Sequence, residues 1–349
     1  MTLRVEEVGN DNKNEWEAYI NQRNDTTFVD SWAWREVLEK VYRFRHYWYV
    51  AKDNGNIKGA LALTLTRHPI FGNYLVSAPF ASQGGFYADS AYTAQTLLEK
   101  ATEILRGLRA GYVNVRQFDG EMPLTGEWQL VVLYATYQMY LGTDPDRFIK
   151  EHLRSKTRNE VSKALKNRLK IKFGMLNLFE DFWYVISRSM KELGSPYHSK
   201  KYLETILDKF GNRAEFAVAY CETGEPIGGS LLMHHCDTTT LLHANILRKH
   251  RNKYAGEFLY WSVIAECCRR GIRCFDMGRS LIGSKNEHFK MKWRPIRQPL
   301  AYWYHLAPGI PLPSLNQANP KFQLAIKMWQ RLPLWIHRVI GPHLISGIL

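Results

Sequence analysis

Hydrophobic residues in the first 120 positions recur with the periods of both strands and helices. Two apolar runs flank Asp53-Asn54-Gly55-Asn56, and an Asn-Gly pair supplies the positive φ that a tight hairpin turn requires. Between Ser90 and Ala110, apolar residues recur every three or four positions, which predicts an amphipathic helix. The predicted elements of this half are strands at 2–8, 47–52, 57–66, 74–78 and 112–117 and helices at 14–21, 31–42 and 90–110.

The alternation starts again at Asp144, where Pro145 takes a favoured first position of a helix. Thr157 and Glu160 have the spacing of a capping box, and Gly194 has the sequence context of a helix end. The predicted elements of this half are helices at 155–169, 179–193, 200–210 and 257–270 and strands at 170–173, 214–221, 226–234, 238–246, 272–277 and 298–305.

The two halves repeat one order of elements: a strand pair around a Gly turn, a third strand, a long helix and a further strand. Residues 50–116 correspond in this order to residues 218–279, and a repeated order of this kind predicts a duplicated domain. We therefore predict an α/β (α+β) fold with mixed β-sheets. The predicted divisions are an N-terminal lobe (1–143), a C-terminal lobe (144–307) and a tail (308–349).

The tail follows a proline-rich break and is strongly apolar, but basic residues and two prolines, Pro333 and Pro342, interrupt it. Because proline ends or kinks a helix, the segment is expected to form two short amphipathic helices and not a membrane span. Helices with Trp and Arg at their boundary suit an anionic membrane surface. The alternative is that the tail packs back onto the first lobe.

The 349-residue chain carries a net charge of +14, which favours an anionic partner such as a phosphate group, a nucleic acid or an anionic membrane face. Basic residues crowd the predicted helix at 155–169, either as a solvated face or as a face that contacts phosphate. The five Cys lack metal-ligand spacing and the N-terminus lacks the apolar core of a signal peptide, which favours a reducing cytosol over secretion. No ligand cluster predicts a metal site.

The stretch 272–304 contains the strongest candidate chemistry. A short apolar strand ends in Gly278-Arg279-Ser280, where glycine allows the chain to turn. A predicted helical turn with Phe289, Lys290 and Trp293 follows. Asp276, Arg279 and Lys290 are therefore expected near one strand edge, an arrangement that suits an anionic or polar substrate with a carbonyl group. The alternative is an ordinary strand with solvated charges.

Short segments along most of the chain form a specific combination, although each alone is a weak signal. They are Ile70-Phe71-Gly72, 75–80 with Gly84-Gly85, Lys156-Thr157-Arg158, 187–190, 193–199, 275–280 with Gly283, Phe289-Lys290 with Trp293, and in the tail 319–322, 329–334 and Gly341-Pro342. This combination resembles the FemAB-like proteins of the GNAT acyltransferase superfamily. In particular, it resembles the branch associated with exosortase/PEP-CTERM exopolysaccharide systems.

The resemblance implies two tandem GNAT-like lobes, each with the acyl-CoA N-acyltransferase fold. For Fem proteins it implies transfer of an aminoacyl group from tRNA to an amine of a peptidoglycan precursor. Lys290 resembles the lysine that stabilises the reacting carbonyl in that family. The chain departs from the family at Ser284-Lys285 and at Trp293-Arg294, where the family usually has Gly, and it has no coiled-coil arm with sustained heptads.

Acyl transfer to an amine requires proton removal from the amine, stabilisation of the carbonyl oxygen as it becomes anionic, and close positioning. In this chemistry Lys290 stabilises the oxyanion, and Asp276 orients Arg279 or accepts a proton. The alternatives are a surface lysine and a strand-end carboxylate in a structural pair. Arginines suit phosphate or carboxylate, and the loop Tyr and His either line the acceptor groove or are polar surface. The candidate residues are Lys290 and Asp276 as catalytic groups and Arg116, Arg158, Tyr197, His198, Arg279, Ser280, Phe289 and Trp293 as substrate-binding groups.

The acyl donor is predicted to be aminoacyl-tRNA or acyl-CoA, with no tightly bound cofactor. Acyl-CoA users in the superfamily have a Q/R-x-x-G-x-G/A loop that cradles pyrophosphate, and residues 251–256 form a degenerate version. The predicted function is a cytoplasmic FemAB-like acyltransferase, with a peripheral position at the inner membrane if the tail binds lipid. Its acceptor is a nucleotide- or lipid-linked precursor of peptidoglycan or exopolysaccharide. The alternatives are an acyl-CoA-dependent GNAT N-acyltransferase and a non-catalytic protein that binds an anionic glycan or nucleic acid.

Overall fold

The computed structural model describes residues 3–118, 128–313 and 320–348. The chain forms two compact units: the first comprises 1–135, 298–315 and 346–349, and the second comprises 136–297 and 316–345. These divisions differ from the predicted 1–143, 144–307 and 308–349, because the chain returns to the first unit after residue 297. Both units are therefore discontinuous in sequence, which local hydrophobic patterns do not encode.

Helices and strands follow one another closely along the chain. Up to residue 140 they are β1 (Arg4–Glu7), α1 (Lys13–Asn21), α2 (Trp32–Tyr42), β2 (Arg45–Asp53), β3 (Asn56–His68), β4 (Gly72–Val76), β5 (Phe86–Ala88), α3 (Ala91–Leu108), β6 (Tyr112–Phe118) and β7 (Trp128–Tyr140). From residue 145 they are α4 (Pro145–His152), α5 (Ser155–Lys166), β8 (Lys170–Gly174), α6 (Phe179–Leu193), α7 (Lys200–Phe210), β9 (Ala214–Tyr220), β10 (Pro226–His235), β11 (Thr238–Ile246), α8 (Ala255–Arg269), β12 (Cys274–Asp276), β13 (Ser280–Leu281), α9 (Lys285–Met291), β14 (Ile296–Leu306), α10 (Pro320–Arg331) and α11 (Leu334–Ile345).

The first unit is built on a mixed sheet with the strand order β1-β2-β3-β4-β6-β14-β7. Strands β2 and β3 form the predicted hairpin, and Asn54 and Gly55 have φ values of 48° and 80° in its turn. Strand β4 runs parallel to β6, and β14 pairs antiparallel with β6. Helix α3 covers one face of the sheet, where Leu97, Ala101 and Leu105 pack with buried side chains of β3, β4 and β6.

The second unit has the strand order β7-β12-β11-β10-β9-β8. Strands β9, β10 and β11 are antiparallel neighbours, and β12 runs parallel to β11. Phe182 of α6 stacks on Phe216 of β9 with ring centroids 4.3 Å apart, and α8 buries Leu259 and Val263. A Cβ at Gly229 would lie 2.9 Å from the Phe182 ring, so this glycine lets α6 approach the sheet closely.

The two units repeat one topology, which confirms the predicted duplication and the α/β class with mixed sheets. In each unit three strands lead through a helix, α3 or α8, to a strand that runs parallel to the third. Strands β5 and β7 are not predicted by the sequence patterns. The predicted capping box is wrong, because the Thr157 hydroxyl donates to Lys292 O at 3.1 Å and Arg154 takes the N-cap position of α5.

The tail forms two short helices, α10 and α11, as predicted. Both contact α6 of the second unit, so the alternative that the tail packs onto the first lobe is wrong for these helices. Only residues 346–349 belong to the first unit, where the Tyr74 hydroxyl donates to Gly347 O at 2.8 Å. The resemblance segment at 319–322 begins outside the described residues. Within the described ranges, every helix is too short or too polar to cross a membrane.

Candidate active site

The candidate site lies in the second unit, at the turn between β12 and α9. Strand β12 ends at Asp276, and Gly278 turns the chain with a φ of 71°. A Cβ at position 278 would lie 2.9 Å from Leu241 O, so both the backbone conformation and the packing require glycine there. The chain continues through β13 to Ser284, whose side chain caps α9, and this helix brings Lys290 back to the turn.

Lys290 is 3% exposed, and its ammonium nitrogen is fixed by the turn. Nζ donates to Gly278 O at 2.7 Å and to Arg279 O at 3.0 Å, and it lies 5.2 Å from the ring centroid of Tyr137. Burial lowers the pKa of Lys290 to about 7, while Asp276 opposes this shift and Arg279 adds to it. The alternative of a surface lysine is therefore wrong. Near neutral pH this side chain exchanges between ammonium and amine, as groups in active sites often do.

Asp276 is buried beside this lysine, and groups of the fold hold its carboxylate. Its Oδ1 accepts hydrogen bonds from Thr136 Oγ1 at 2.6 Å and from Gly278 N at 2.8 Å. Burial raises the pKa of Asp276, and these hydrogen bonds and the charge of Lys290 oppose the shift. Asp276 is thus a structural carboxylate of the turn that also acts on Lys290 through its charge.

A second carboxylate, Glu287, fixes α9 to its neighbours. It accepts hydrogen bonds from Tyr137 Oη at 2.7 Å, from Arg297 Nε at 2.9 Å and from Gly283 N. Burial alone would raise the pKa of Glu287, but the hydrogen bonds from Tyr137, Gly283 and Arg297 bring it below its usual value. Glu287 therefore stays ionised at neutral pH and keeps the helix that carries Lys290 in place.

Thr136, Tyr137 and Glu287 lie outside the candidate residues predicted from the sequence, although two signals mark them. Ser284 and Glu287 have the S-x-x-E spacing of a capping box, and the Ser284 side chain accepts a hydrogen bond from Glu287 N at 3.2 Å. The run Trp128–Tyr140 is rich in the β-branched and aromatic residues that strands favour. The β-branched and aromatic run therefore predicts Tyr137 on a strand, and the S-x-x-E spacing predicts Glu287 in the first turn of a helix.

Arg279 lies beside Lys290, as predicted, and Ser280 follows it at the start of β13. Arg279 is half-buried, and its carbonyl accepts one of the hydrogen bonds from Lys290. The Ser280 hydroxyl accepts from Asn286 Nδ2 at 2.8 Å, which connects β13 to α9. No group of three or more His, Cys, Asp or Glu residues that could hold a metal ion occurs in the described part of the chain.

Phe289 and Trp293 pack against α8 and position α9. The Tyr260 ring meets Phe289 edge-on at 5.0 Å and stacks with Trp293 at 6.0 Å. Trp293 is fully buried, so the prediction that it contacts substrate directly does not fit its position. Arg294 follows with a φ of 55°, and this left-handed conformation is the reason why glycine suits the position in the resembling family.

The start of α8, where the sequence has a degenerate pyrophosphate loop, is covered by protein groups. Lys292 Nζ donates to Glu257 Oε1 at 3.0 Å and to Glu160 Oε2 at 2.9 Å. Glu257 lies in the first turn of α8, where a carboxylate balances the positive end of the helix dipole. The Phe289 ring would lie 3.5 Å from a Cβ at Gly256. This helix N-terminus is therefore already neutralised and shielded by an aromatic ring.

The two other candidate arginines hold the fold together. In the first unit Arg116 is 5% exposed, and it donates to Asn114 Oδ1 at 2.7 Å and to Ala78 O at 3.0 Å. In the second unit Arg158 of α5 donates to Leu153 O at 2.8 Å, at the end of α4. Both guanidinium groups bind backbone carbonyls of neighbouring segments and so help to hold the fold, and their binding of substrate phosphate or carboxylate stays a prediction.

Tyr197 and His198 are buried, which corrects the prediction that they line an open groove or lie on a polar surface. The His198 ring stacks on Tyr202 with centroids 3.9 Å apart, and the His243 ring lies 5.5 Å away. Burial lowers the pKa of His243 to about 3 and the pKa of His198 well below its usual value. Both imidazoles are therefore neutral at physiological pH, and the cluster is part of the core between α6, α7 and β11.

Comparison with known sequences gives a domain match that covers the turn between β12 and α9. Residues 153–291 match the family described as "Acetyltransferase (GNAT) domain". The match extends from the residues before α5 to the end of α9 and includes Asp276, Arg279 and Lys290. A comparison with curated protein sequences gives no match.

Solved structures share the fold over most of the chain. FemX superposes with a TM-score of 0.63 at 13% identity, covering 93% of this chain and 100% of FemX. A tandem GNAT protein from the clavulanic acid biosynthesis pathway gives 0.58 at 11% identity, covering 89% and 100%. The C-terminal domain of a putative lysylphosphatidylglycerol synthetase from Agrobacterium fabrum gives 0.56 at 14% identity, covering 85% and 92%. At these identities the similarity shows the fold, two tandem GNAT-like lobes.

Proposed function

We propose that this chain is a FemAB-like N-acyltransferase that transfers an acyl or aminoacyl group to an amine of a cell-envelope precursor. The observation that carries the proposal is Lys290, a buried lysine with a pKa near 7 inside the segment that matches the GNAT domain. Burying a charge is costly for a fold, and a lysine retained in such a place is explained by chemistry. The PEP-CTERM-associated branch is part of this proposal and rests on the sequence segments alone.

In the proposed reaction the acceptor amine attacks the carbonyl carbon of the donor and forms the new C–N bond. The carbonyl electron pair moves to oxygen, and Lys290 in its ammonium form donates an N–H to this oxyanion. The hydrogen bonds to Gly278 O and Arg279 O use two of the three ammonium N–H groups, and the proposed reaction assigns the third to the substrate. Collapse re-forms the C=O bond and expels a tRNA hydroxyl or a CoA thiol, which takes up the proton that the amine loses.

Of the two donors, aminoacyl-tRNA has more support from the surface around α5. Lys163 lies 5.8 Å from the Tyr254 ring, and Asn167 donates to Lys253 O at 2.8 Å. These contacts join the basic helix α5 to the basic segment Arg248–Lys253, and a joined basic surface suits a polyanion. The covered N-terminus of α8 does not favour a pyrophosphate. Acyl-CoA is the second candidate because the domain match is to an acetyltransferase family.

The acceptor class rests on the sequence resemblance and on the name of one similar fold. The resemblance to Fem proteins implies a peptidoglycan precursor, and the putative lysylphosphatidylglycerol synthetase is named for a lysyl group on a phospholipid. We therefore propose an amine on a nucleotide- or lipid-linked sugar used in peptidoglycan or exopolysaccharide synthesis. The reaction would take place in the cytoplasm, where charged tRNA and CoA are present.

Transfer assays with radiolabelled aminoacyl-tRNA and radiolabelled acyl-CoA test this proposal against a panel of amine-bearing nucleotide- and lipid-linked precursors. We expect label to reach an acceptor from aminoacyl-tRNA and this transfer to be lost in Lys290→Ala. Label from acyl-CoA alone would select the second candidate. Salt-sensitive binding of precursors or RNA, without transfer from either donor, would instead support a non-catalytic binding protein.

A further inference from the structure

Helices α10 and α11 are fixed to the second unit by one side. Gln330 Nε2 donates to Glu192 O at 3.0 Å, and Arg338 Nη2 donates to Ser187 Oγ at 3.2 Å. The two acceptors, Glu192 and Ser187, belong to α6. A Cβ at Gly341 would lie 3.1 Å from the backbone of the loop after α6, so α11 makes a contact that only glycine allows without a shift. The orientation of the two helices on the unit is therefore well defined.

The other side of these helices exposes large apolar side chains. Leu324 and Met328 of α10 are one turn apart and are 61% and 62% exposed. Trp335 and Val339 of α11 are also one turn apart and are 66% and 58% exposed, and Ile340 is exposed next to them. We call these five side chains the outer face. Exposed apolar patches on a folded protein usually mark an interaction surface.

The outer face lies among basic residues. Lys327 and Arg331 are exposed on α10, and the sequence contains no Asp or Glu from His288 to Leu349. Apolar side chains next to Lys and Arg are typical of helices that lie in the headgroup region of an anionic bilayer. A second copy of this chain is a poor partner for the same surface, because pairing would bring the positive charges together.

We propose that the outer face docks the protein on the surface of an anionic phospholipid bilayer. Trp335 and Met328 would enter the boundary between headgroups and acyl chains, and Lys327 and Arg331 would pair with lipid phosphates. Each helix has 12 residues, so it lies on the membrane and does not cross it. The docking uses no residue of the candidate active site and is therefore independent of the reaction that the chain catalyses.

Flotation of the full-length protein with lipid vesicles tests the proposal. We expect the protein to float with vesicles of phosphatidylcholine and phosphatidylglycerol and to remain behind with vesicles of phosphatidylcholine alone. The double variant Met328→Ser, Trp335→Ser should bind the anionic vesicles about tenfold more weakly or worse. Lys327→Glu should weaken binding at least about fivefold, and added salt should weaken the binding of the unaltered chain.

Two substitutions elsewhere in the second unit are matched controls. Leu176 is an apolar residue that is 69% exposed, and Lys201 is an exposed lysine of α7; Leu176→Ser and Lys201→Glu should float like the unaltered chain. Absence of flotation of the unaltered chain with anionic vesicles, or equal flotation of the double variant, would overturn the proposal. So would light scattering that shows a dimer which the double variant converts to monomers, because the outer face would then belong to a second copy.

Discussion

The two units share a topology but treat buried charge differently. In the first unit, Asp30 is fully buried and accepts hydrogen bonds from Gly85 N, Thr27 N and Tyr87 Oη, each at 2.7 Å. Burial raises the pKa of Asp30 to about 6, so the carboxylate is still ionised at neutral pH. Arg116 donates to two backbone carbonyls of the same region. Hydrogen bonds of this kind are typical of buried charges that hold loops in place.

In the second unit Glu287 is paired in the same way, but the buried Lys290 differs. Two neutral backbone carbonyls accept from Lys290, and its pKa falls to about 7. Asp276 supports the protonated form through its charge but is itself held by Thr136 and Gly278. Strands β6 and β12 thus occupy equivalent places in a duplicated fold. Strand β6 carries Arg116, which holds the fold, whereas Lys290 lies beside the end of β12 and is suited to catalysis. The lowered pKa of the buried lysine, and not the number of its hydrogen bonds, marks the second case.

The largest effect that we predict concerns the rate of transfer. Lys290→Met keeps an unbranched side chain but cannot donate to an oxyanion, so kcat/KM should fall about 10²–10³-fold. Lys285→Met is the matched control, because Lys285 is exposed on the first turn of the same helix, and its kcat/KM should change little. If folded Lys290→Met has an unchanged kcat/KM, Lys290 does not take part in the reaction. Its role would then be structural, like that of Arg116 in the first unit.

The second prediction concerns the arginine of the first unit. Arg116→Met should lower the free energy of unfolding by about 2–3 kcal/mol, because Ala78 O, Ala81 O and Asn114 Oδ1 lose a buried donor. Urea denaturation measures this change, and Arg106→Met, on the exposed side of α3, is the control. At temperatures where the variant is folded, the KM for the acceptor should be unchanged. A raised KM with unaltered stability would make Arg116 a substrate-binding residue after all.

The sequence predicts the local features of both units, such as turns and helix ends, which depend on residues close together in the chain. The Asn54-Gly55 turn, the positive φ of Gly194 and the N-cap at Ser199 are all observed, because a few consecutive residues determine each of them. The capping box at Thr157 fails because its hydroxyl binds a carbonyl 135 residues away. The return of β14 to the first unit likewise depends on pairing with a distant strand.

The same limit applies to the candidate site. Family resemblance and a strand end predict Lys290 and Asp276 as site residues, and the structure places them together. The structural role of Arg116 could not be predicted, because its acceptors lie on a loop 35 and 38 residues earlier. Tyr197 and His198 follow an ordinary helix stop, and only the packing of α7, β11 and α11 shows that they are buried.

The third prediction is that replacing Lys290 stabilises the protein in a defined pH window. The folded-state pKa of about 7 lies below the usual 10.5, so between these values the unfolded chain binds the proton more strongly. The stability of the unaltered chain therefore rises with pH across this window, and below pH 7 it carries the full cost of burying the ammonium. Lys290→Met should then be more stable by about 1–4 kcal/mol.

Urea denaturation at about pH 6 and about pH 9 measures this difference between the two proteins. The advantage of Lys290→Met should be largest at the lower pH and should shrink towards the higher one. Arg116→Met is the comparison for this measurement, and its loss of stability should be similar at both pH values. An advantage that is equal at both pH values would mean that Lys290 is not buried as an ammonium, and the contrast between the units would lose its electrostatic basis.

The smallest effect is a shift of the pH profile when Asp276 loses its charge. Asp276→Asn keeps an oxygen that can accept from Thr136 Oγ1 and Gly278 N, so the turn should remain folded. The Asp276 carboxylate favours protonated Lys290, so its removal should lower the pKa of Lys290 by about one unit. If the ammonium stabilises the oxyanion, kcat/KM should decrease as the pH rises through the pKa of Lys290. In Asp276→Asn this decrease should occur at lower pH than in the unaltered chain. Asp237→Asn, at an exposed aspartate of the same unit, is the control.

The direction of the change at about pH 6.5 separates two roles for Lys290. A smaller rate in Asp276→Asn means that the protonated lysine is the active form, because fewer molecules then carry it. A larger rate means that the neutral lysine takes the proton from the attacking amine, because the same decrease in pKa enlarges that population. An unshifted profile in a folded variant would show that Asp276 does not act on Lys290 and serves the turn alone, as Asp30 serves the loop of the first unit.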